Sequence, residues 1–434
     1  MSESDTIFAL SSGPPPAGIA VIRISGPGVR FGLETLIESV PEPRQAVVRA
    51  MKAADGSAID RGVVLFFPGP RSFTGEDVAE LQVHGGRAVV AASLAALAAL
   101  PGFRPAEAGE FTRRAFANQR MDLTQVEGLA DLIAAETEAQ RRQAAAQAEG
   151  ALGALYEDWR QRLIRARALI EAELDFPEEE DVPGAVSVQA WDIVAGLAQD
   201  IVNHLADRRG ERVRDGAEVV ILGAPNAGKS SLLNAIARRD VAIVTPEAGT
   251  TRDLIEVRLD LDGFPVTLVD TAGLRETASA VEREGIRRAE ERARAADMVL
   301  WLVDASAPDP GPPPLPGAIR VLSKIDLLDD PVPEGVLGVS VRTEAGIAGL
   351  LALVAAHAGA AAAPPESPLL TRARHRAALT TSLAAIREAQ NPGNPLELRA
   401  EELRHAGDAL GRLTGRIDVE DMLDVIFRDF CIGK

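Results

Sequence analysis

Cysteine is nearly missing: Cys431 stands alone in a chain of 434 residues, so no intrachain disulfide can form. No apolar run reaches the roughly 18 residues that a membrane-spanning helix needs. The opening "MSESDTIFAL" lacks the basic start and long apolar stretch of a secretory signal, and with the lone cysteine this leads us to expect a cytoplasmic protein. Cations are also in deficit, 46 Lys and Arg against 64 Asp and Glu, for a formal net charge of -18. That balance excludes a protein that grips nucleic acid with its whole surface. The stretches "RRQ", "RQRLIRARA" and "RRGERVR" are candidates for a local basic patch, and read equally well as solvated helix faces.

What is present suggests several domains, since a chain of this length exceeds one ordinary core. Residues 6 to 118 mix β-branched runs, "GIAVIRISG" and "GVVLFFPGP", with Gly and Pro punctuation and one helix, "RAVVAASLAALAAL", which predicts a small α+β domain. From Leu123 to Arg209 the composition turns to Ala, Leu, Glu, Arg and Gln with few breakers, predicting two or three long helices interrupted at "LDFPEEEDVPG" by Pro177 and Pro183. Then strand-like and helix-like segments alternate: "AEVVILG", "LIEVRLDLDG", "FPVTLVD", "DMVLWLVDAS", "AIRVLSKID" and "VLGVSV" predict a doubly wound, mostly parallel sheet. After the linker-like "GAAAAPPESPLL" helical periodicity returns. The economical reading is a helical domain in two parts, 119–212 and 369–434, with the sheet domain 213–368 inserted and the α+β domain 1–118 in front.

"GAPNAGKS", Gly223 to Ser230, matches G-x-x-x-x-G-K-[ST] directly after a strand and before a helix. Such a loop turns backbone amides of Asn226, Ala227, Gly228 and Ser231 toward phosphate, with Lys229 on the β- and γ-phosphates and the Ser230 hydroxyl on Mg2+. Downstream, "LVDTAG" supplies Asp270 to hold Mg2+ through water and the Gly273 amide to sense the γ-phosphate, with Thr271 and Ala272 also expected at the GTP site. Between them "TPEAGTTRD" reads as a switch, with Thr251 a second Mg2+ hydroxyl. In "SKID" the Asp326 carboxylate can accept two donors from guanine, a pattern adenine cannot meet, with Lys324 beside it and Ser340 and Val341 of "VSVRTEAGI" at the base edge. Ser323 stands where GTPases usually carry Asn, and its shorter side chain is expected to lose contacts to the base and to the phosphate loop. Leu274 cannot orient water, so hydrolysis needs another group. Arg252 and Arg275 could supply positive charge, as could a monovalent cation held by Asn226.

Together with "DTIFALSSGPPPAGIAVIRISGP", "FTGEDVAELQVHGG", "AGEFTRRAFANQRMDLTQVEGLADLI", "LDFPEEED", "DTAGLRETASAVEREGI" and the terminal "FCIGK", these motifs resemble the tRNA-modification GTPase family MnmE, also called TrmE. The resemblance implies a dimerising folate-binding N-terminal domain, a discontinuous helical domain and an inserted GTPase domain. It implies work with the flavoprotein MnmG on C5 of the wobble uridine of tRNA, using a one-carbon unit from 5-formyltetrahydrofolate or a related tetrahydrofolate. By the same resemblance Glu282 positions the attacking water, and Asn226, Thr245, Glu247 and Thr250 hold K+ where two GTPase domains of a homodimer meet. Arg23, Glu80, Arg120 and Lys434 match the folate positions, with Arg120 where the family commonly has Lys, and Cys431 matches a cysteine near the reaction centre. Two other readings stand beside it: a ribosome-assembly GTPase, whose GXXG motif the C-terminal region "LRHAGDALGRLTGRIDVEDMLDVIF" does not carry, and a nucleotide-regulated scaffold with little turnover.

Overall fold

The computed structural model describes residues 5–175, 185–243, 255–270, 291–313, 315–361 and 368–417, with 423, 426, 427, 430, 432 and 433 near the C-terminus. The chain divides into two compact units: Met1–Ala130 with Tyr156–Arg160 and Asp408–Lys434, and Asp131–Leu155 with Gln161–Gly407.

The first unit holds β1 (Thr6–Leu10), β2 (Ile19–Ser25), α1 (Val29–Ile37), β3 (Val47–Lys52), β4 (Ala58–Phe67), β5 (Val78–His84), α2 (Arg87–Ala98), β6 (Phe103–Pro105) and α3 (Glu110–Ala117). Its sheet runs β3-β4-β5-β2-β1-β6, antiparallel except for β1 with β6. Alternation sorts β2 onto two faces. Ala20, Ile22 and Ile24 join Leu81, Phe66 and the α1 residues Val29 and Leu33 in the core, while Arg23 lies on the opposite face. In a second apolar cluster of the first unit Ile7, Ala9 and Ala106 pack with Phe111 and Phe73.

Helices α4 (Leu123–Ala134), α5 (Glu138–Ala148), α6 (Ala151–Asp175), α7 (Ala185–Ala206) and α8 (Arg209–Asp215) follow. Two of these are long, as expected, α6 with 25 residues and α7 with 22, and among the described residues the shorter α4, α5 and α8 accompany them. Thr137 starts α5 with a capping box, accepting from the Gln140 amide. Gly150, at φ 96°, parts α5 from α6.

The second sheet is built from β7 (Ala217–Gly223), β8 (Ile255–Leu261), β9 (Phe264–Asp270), β10 (Met298–Asp304), β11 (Ile319–Ser323) and β12 (Leu337–Val339), with α9 (Lys229–Ala237) and α10 (Ile347–Ala361). All six expected strands are there. The order is β12-β11-β10-β7-β9-β8, parallel throughout except that β8 runs antiparallel to β9. Val219, Ile221, Leu268, Leu300 and Leu302 pack under α9 and α10, and Val220, Val269 and Trp301 form the core of the other face. Helices α11 (Ala373–Ala389) and α12 (Leu396–Thr414) follow.

Candidate functional site

β7 lies in the middle of the second sheet, between β9 and β10. The loop at its carboxyl end therefore opens where the strand order reverses, the place at which open α/β sheets hold ligands. That loop turns on two left-handed residues, Asn226 at φ 64° and Gly228 at φ 92°. Gly228 precedes α9 without any side-chain cap, which leaves the first helical amides for an anion. A Cβ on Gly228 would meet nothing within 4 Å, so the concavity is open at this point. Asn226 and Ser231 are exposed.

Lys229 is buried, and its ammonium donates to the loop carbonyls of Gly223 at 2.9 Å and Ala224 at 3.0 Å. Those bonds hold a positive charge at the loop without leaving it unsatisfied. The Ser230 hydroxyl donates to Asp270 Oδ2 at 2.5 Å, and Asp270, only 1% exposed, ends β9 opposite Ile221 of β7. A hydroxyl and a carboxylate meeting beside a phosphate loop offer the hard oxygens that Mg2+ takes, so these residues fit that ion.

Ser323 closes β11 and is buried. Its hydroxyl lies 2.7 Å from the Ala227 carbonyl and 3.2 Å from that of Val303. The expected loss of contact with the phosphate loop does not occur, because β11 ends close enough for one hydroxyl to span the gap. Lys324 takes a left-handed backbone and pairs with Asp304 at 2.6 Å, and this ion pair heads the causes that lower the Asp304 carboxyl below its ordinary range. Asp326 receives the Ser340 hydroxyl at 2.5 Å and the Arg342 guanidinium at 2.9 Å. First the Ser340 bond and then Arg342 hold the Asp326 carboxyl below the usual carboxylate range. Val341, next to Ser340, is exposed. Asp304 and Arg342 were not found from sequence; the acid ending "LWLVD" and the arginine following Ser340 and Val341 were the available signals.

Thr245, Glu247, Thr250, Thr251, Thr271, Ala272, Gly273 and Glu282 lie outside the described residues, as do Arg252, Arg275, Cys431 and Lys434.

In the first unit, Arg23 and Glu80 face each other across β2 and β5 and pair at 2.9 Å. The Arg23 guanidinium sits 5.3 Å from the Phe73 ring centre and 5.8 Å from that of Phe111. Sequence reading missed both rings. Arg120 is exposed just beyond α3, its Cγ beside Gly75 in the same loop as Phe73. The chain end returns to this unit: Ile432 bridges Ala108, and the Gly433 carbonyl accepts from the Ser11 hydroxyl at 2.8 Å.

A phosphate loop with its lysine, a hydroxyl–carboxylate pair and the Asp326 carboxylate of "SKID" on one edge of a mostly parallel sheet define a P-loop GTPase domain. The family model for the MnmE helical domain matches residues 123–431, and that for the GTP-binding protein TrmE N-terminus matches 6–120. The tRNA modification GTPase MnmE of Parvibaculum lavamentivorans is 56% identical over 439 residues, covering 99% of this chain and 100% of its own. That of Brucella canis is 55% identical over 437 residues, covering 100% and 99%. Among solved structures, an Era of Aquifex aeolicus bound to GDP and aluminium fluoride is 23% identical over 39% of this chain and 66% of that one. Its TM-score of 0.26 is too low to carry an argument. The chain belongs to the tRNA modification GTPase MnmE family, and is a GTPase of tRNA modification that binds GTP with Mg2+. Among the described residues no helix is long and apolar enough to cross a membrane.

Proposed function

We propose that the GTP cycle of this chain drives modification of C5 of the wobble uridine of tRNA, of the carboxymethylaminomethyl type, in a cytoplasmic complex with the flavoprotein MnmG. The assembly at one sheet edge of Lys229, the Ser230–Asp270 pair, Ser323 and the Asp326–Ser340 pair carries this reading. Asn226, Ala227, Gly228, Lys229, Ser230 and Ser231 cradle the phosphates, Thr251 joins Ser230 on Mg2+, and Gly273 reports the γ-phosphate, with Thr271 and Ala272 also at the GTP site. Lys324 and Asp326 read guanine, with Ser340 and Val341 at its edge. Glu282 orients the attacking water, and K+ held by Asn226, Thr245, Glu247 and Thr250 supplies the charge of an arginine finger when two GTPase domains of a homodimer meet. The domains follow the boundaries 1–118, 119–212, 213–368 and 369–434.

The tetrahydrofolate derivative, 5-formyltetrahydrofolate or a relative, is taken by Arg23, Glu80, Arg120 and Lys434, with Cys431 near the reaction centre. Support comes from chemistry on the first sheet: a carboxylate able to accept from a pterin amine lies beside an arginine framed by two phenyl rings.

The deciding experiment is steady-state GTP hydrolysis in K+ against Na+ at matched ionic strength and several protein concentrations. The reading expects strong stimulation by K+, with specific activity rising as protein concentration brings GTPase domains together. Hydrolysis indifferent to the cation would remove Asn226 from its role and return the positive charge to Arg252 or Arg275.

A further inference from the structure

Helix α5 carries Gln140, Gln143 and Gln147, spaced three and four apart and so on one face. Each has a partner on the chain segments that lead into or out of the nucleotide-binding sheet. The Gln143 amide donates to the Gly210 carbonyl at 2.9 Å and that of Gln140 to the Arg214 carbonyl at 3.0 Å, both on the incoming segment. Gln147 Oε1 accepts from the Thr371 hydroxyl on the outgoing segment at 3.1 Å. The two segments touch, since a Cβ on Gly210 would stand 2.3 Å from the Leu370 carbonyl oxygen. Asp131 ties them again, accepting from Arg214 at 3.2 Å and Arg372 at 2.7 Å.

The amino end of α5 meets the nucleotide sheet itself. The Ala139 amide donates to the carbonyl of Gly263, at the tip of the β8–β9 hairpin, at 3.0 Å, and Glu136 lies 3.5 Å from Arg258 of β8. From that tip β9 runs straight to Asp270, the carboxylate on Ser230. A seven-residue strand therefore links the Mg2+ end of the nucleotide site to the first turn of α5. Beside this face lies a cavity of about 280 Å³, lined in part by Gln140, Gln143, Arg258 and Thr267, which leaves the hairpin room to shift against the helix.

We propose that α5 is a positioning element that couples occupancy of the nucleotide site to the two segments joining it to the helices, with Gln140 and Gln143 as the coupling residues. When nucleotide and Mg2+ draw Asp270, β9 carries the displacement to its tip, α5 follows, and the glutamine face moves both segments together. The coupling rests on guanine-nucleotide binding alone and is independent of K+ and of folate.

Hydrogen exchange followed by mass spectrometry on the full chain tests it, without nucleotide, with Mg2+ and GDP, and with Mg2+ and a non-hydrolysable GTP analogue. In the wild-type protein the amides of 138–148 and 209–216 should change protection between the nucleotide-free and the Mg2+–nucleotide states. The double variant Gln140→Glu, Gln143→Glu keeps size and the capping acceptor but cannot donate to either carbonyl. It should lose at least half of that nucleotide-dependent difference, while kcat and KM for GTP stay within twofold of wild type. Identical protection of the wild-type chain with and without Mg2+ and nucleotide overturns the proposal, whether or not the variant folds. So does a variant that keeps the full difference, or one whose GTP turnover falls along with it, since α5 would then serve the fold alone.

Discussion

Asp326 can accept from guanine only while ionised, and its two neighbours secure that state. The Ser340 hydroxyl, fully buried, and then the Arg342 guanidinium hold the carboxyl below its ordinary range. The charged acceptor therefore persists as pH falls toward the normal aspartate range, and is lost only below it. Ser340→Ala should bring that loss to higher pH and weaken GDP binding about fivefold at neutral pH, the worth of one lost hydrogen bond. Titration of a fluorescent GDP analogue across pH checks both; an unchanged profile would mean that Ser340 plays no part in holding the carboxylate. Asp326→Asn replaces an acceptor by a mixed donor and acceptor and should shift preference from guanine toward xanthine nucleotides, read by competition between GDP and XDP. Asp326 and Ser340 were legible in the sequence because base recognition demands their chemistry at fixed places in known motifs. Asp304 and Arg342 were not, because their value depends on which strand ends the sheet order brings together.

Elements differ in how far local sequence decides them. The six strands of the nucleotide sheet stood out as apolar runs because both faces of that sheet are covered. In the first sheet β3 has a mostly exposed surface and β6 only three residues, so long-range pairing rather than pattern makes them strands. Gly346 shows the same dependence at the guanine loop. It sits at φ 75°, and a Cβ there would stand 1.8 Å from the Gly338 carbonyl oxygen. Gly346→Ala must push the 340–346 loop off β12, displacing Ser340; about 1–3 kcal/mol of stability should go with it, seen as a lower urea midpoint together with weaker GDP binding. On α7, burial foremost lowers His204 from 6.5 to about 4; Asp207 opposes the shift, and His375 and Arg376 add to it. Between those values the unfolded chain takes up a proton that the folded one refuses, so stability falls as pH drops from 6.5 toward 4, by at most about 3 kcal/mol. Urea midpoints at pH 7 and pH 5 should differ in this direction, and His204→Asn should narrow the gap; an equal gap in the variant would place the acid sensitivity elsewhere.

Over the whole molecule, the question is how so acidic a chain meets tRNA. Lysines number four, and three of them, Lys229, Lys324 and Lys434, fall in the phosphate, guanine and C-terminal motifs. Many of the arginines are already engaged: Arg104 and Arg114 with Glu110, Arg292 with Glu218 and Glu256, Arg376 with Glu211. Such pairs must be surrendered before a phosphate can be bound, so few contacts of the counterion-releasing kind are available. The three basic stretches noted in the sequence illustrate the point. Within "RQRLIRARA", Arg160 pairs with Glu157, Arg162 with Asp200 and Arg167 with Glu171. Fewer than about four neutralised phosphates would make the logarithm of tRNA affinity fall with that of salt by a slope shallower than about -4, a loss of roughly 250-fold or less between 50 and 200 mM K+. Fluorescence titration of labelled tRNA with this chain alone, across that range, measures the slope directly. A shallow slope would assign most of the electrostatic grip on tRNA to another protein, such as the flavoprotein proposed above. A slope near -8 would mean that copies of this chain gather their arginines into one basic face, and Arg165, which is exposed on α6, would be the first residue to replace.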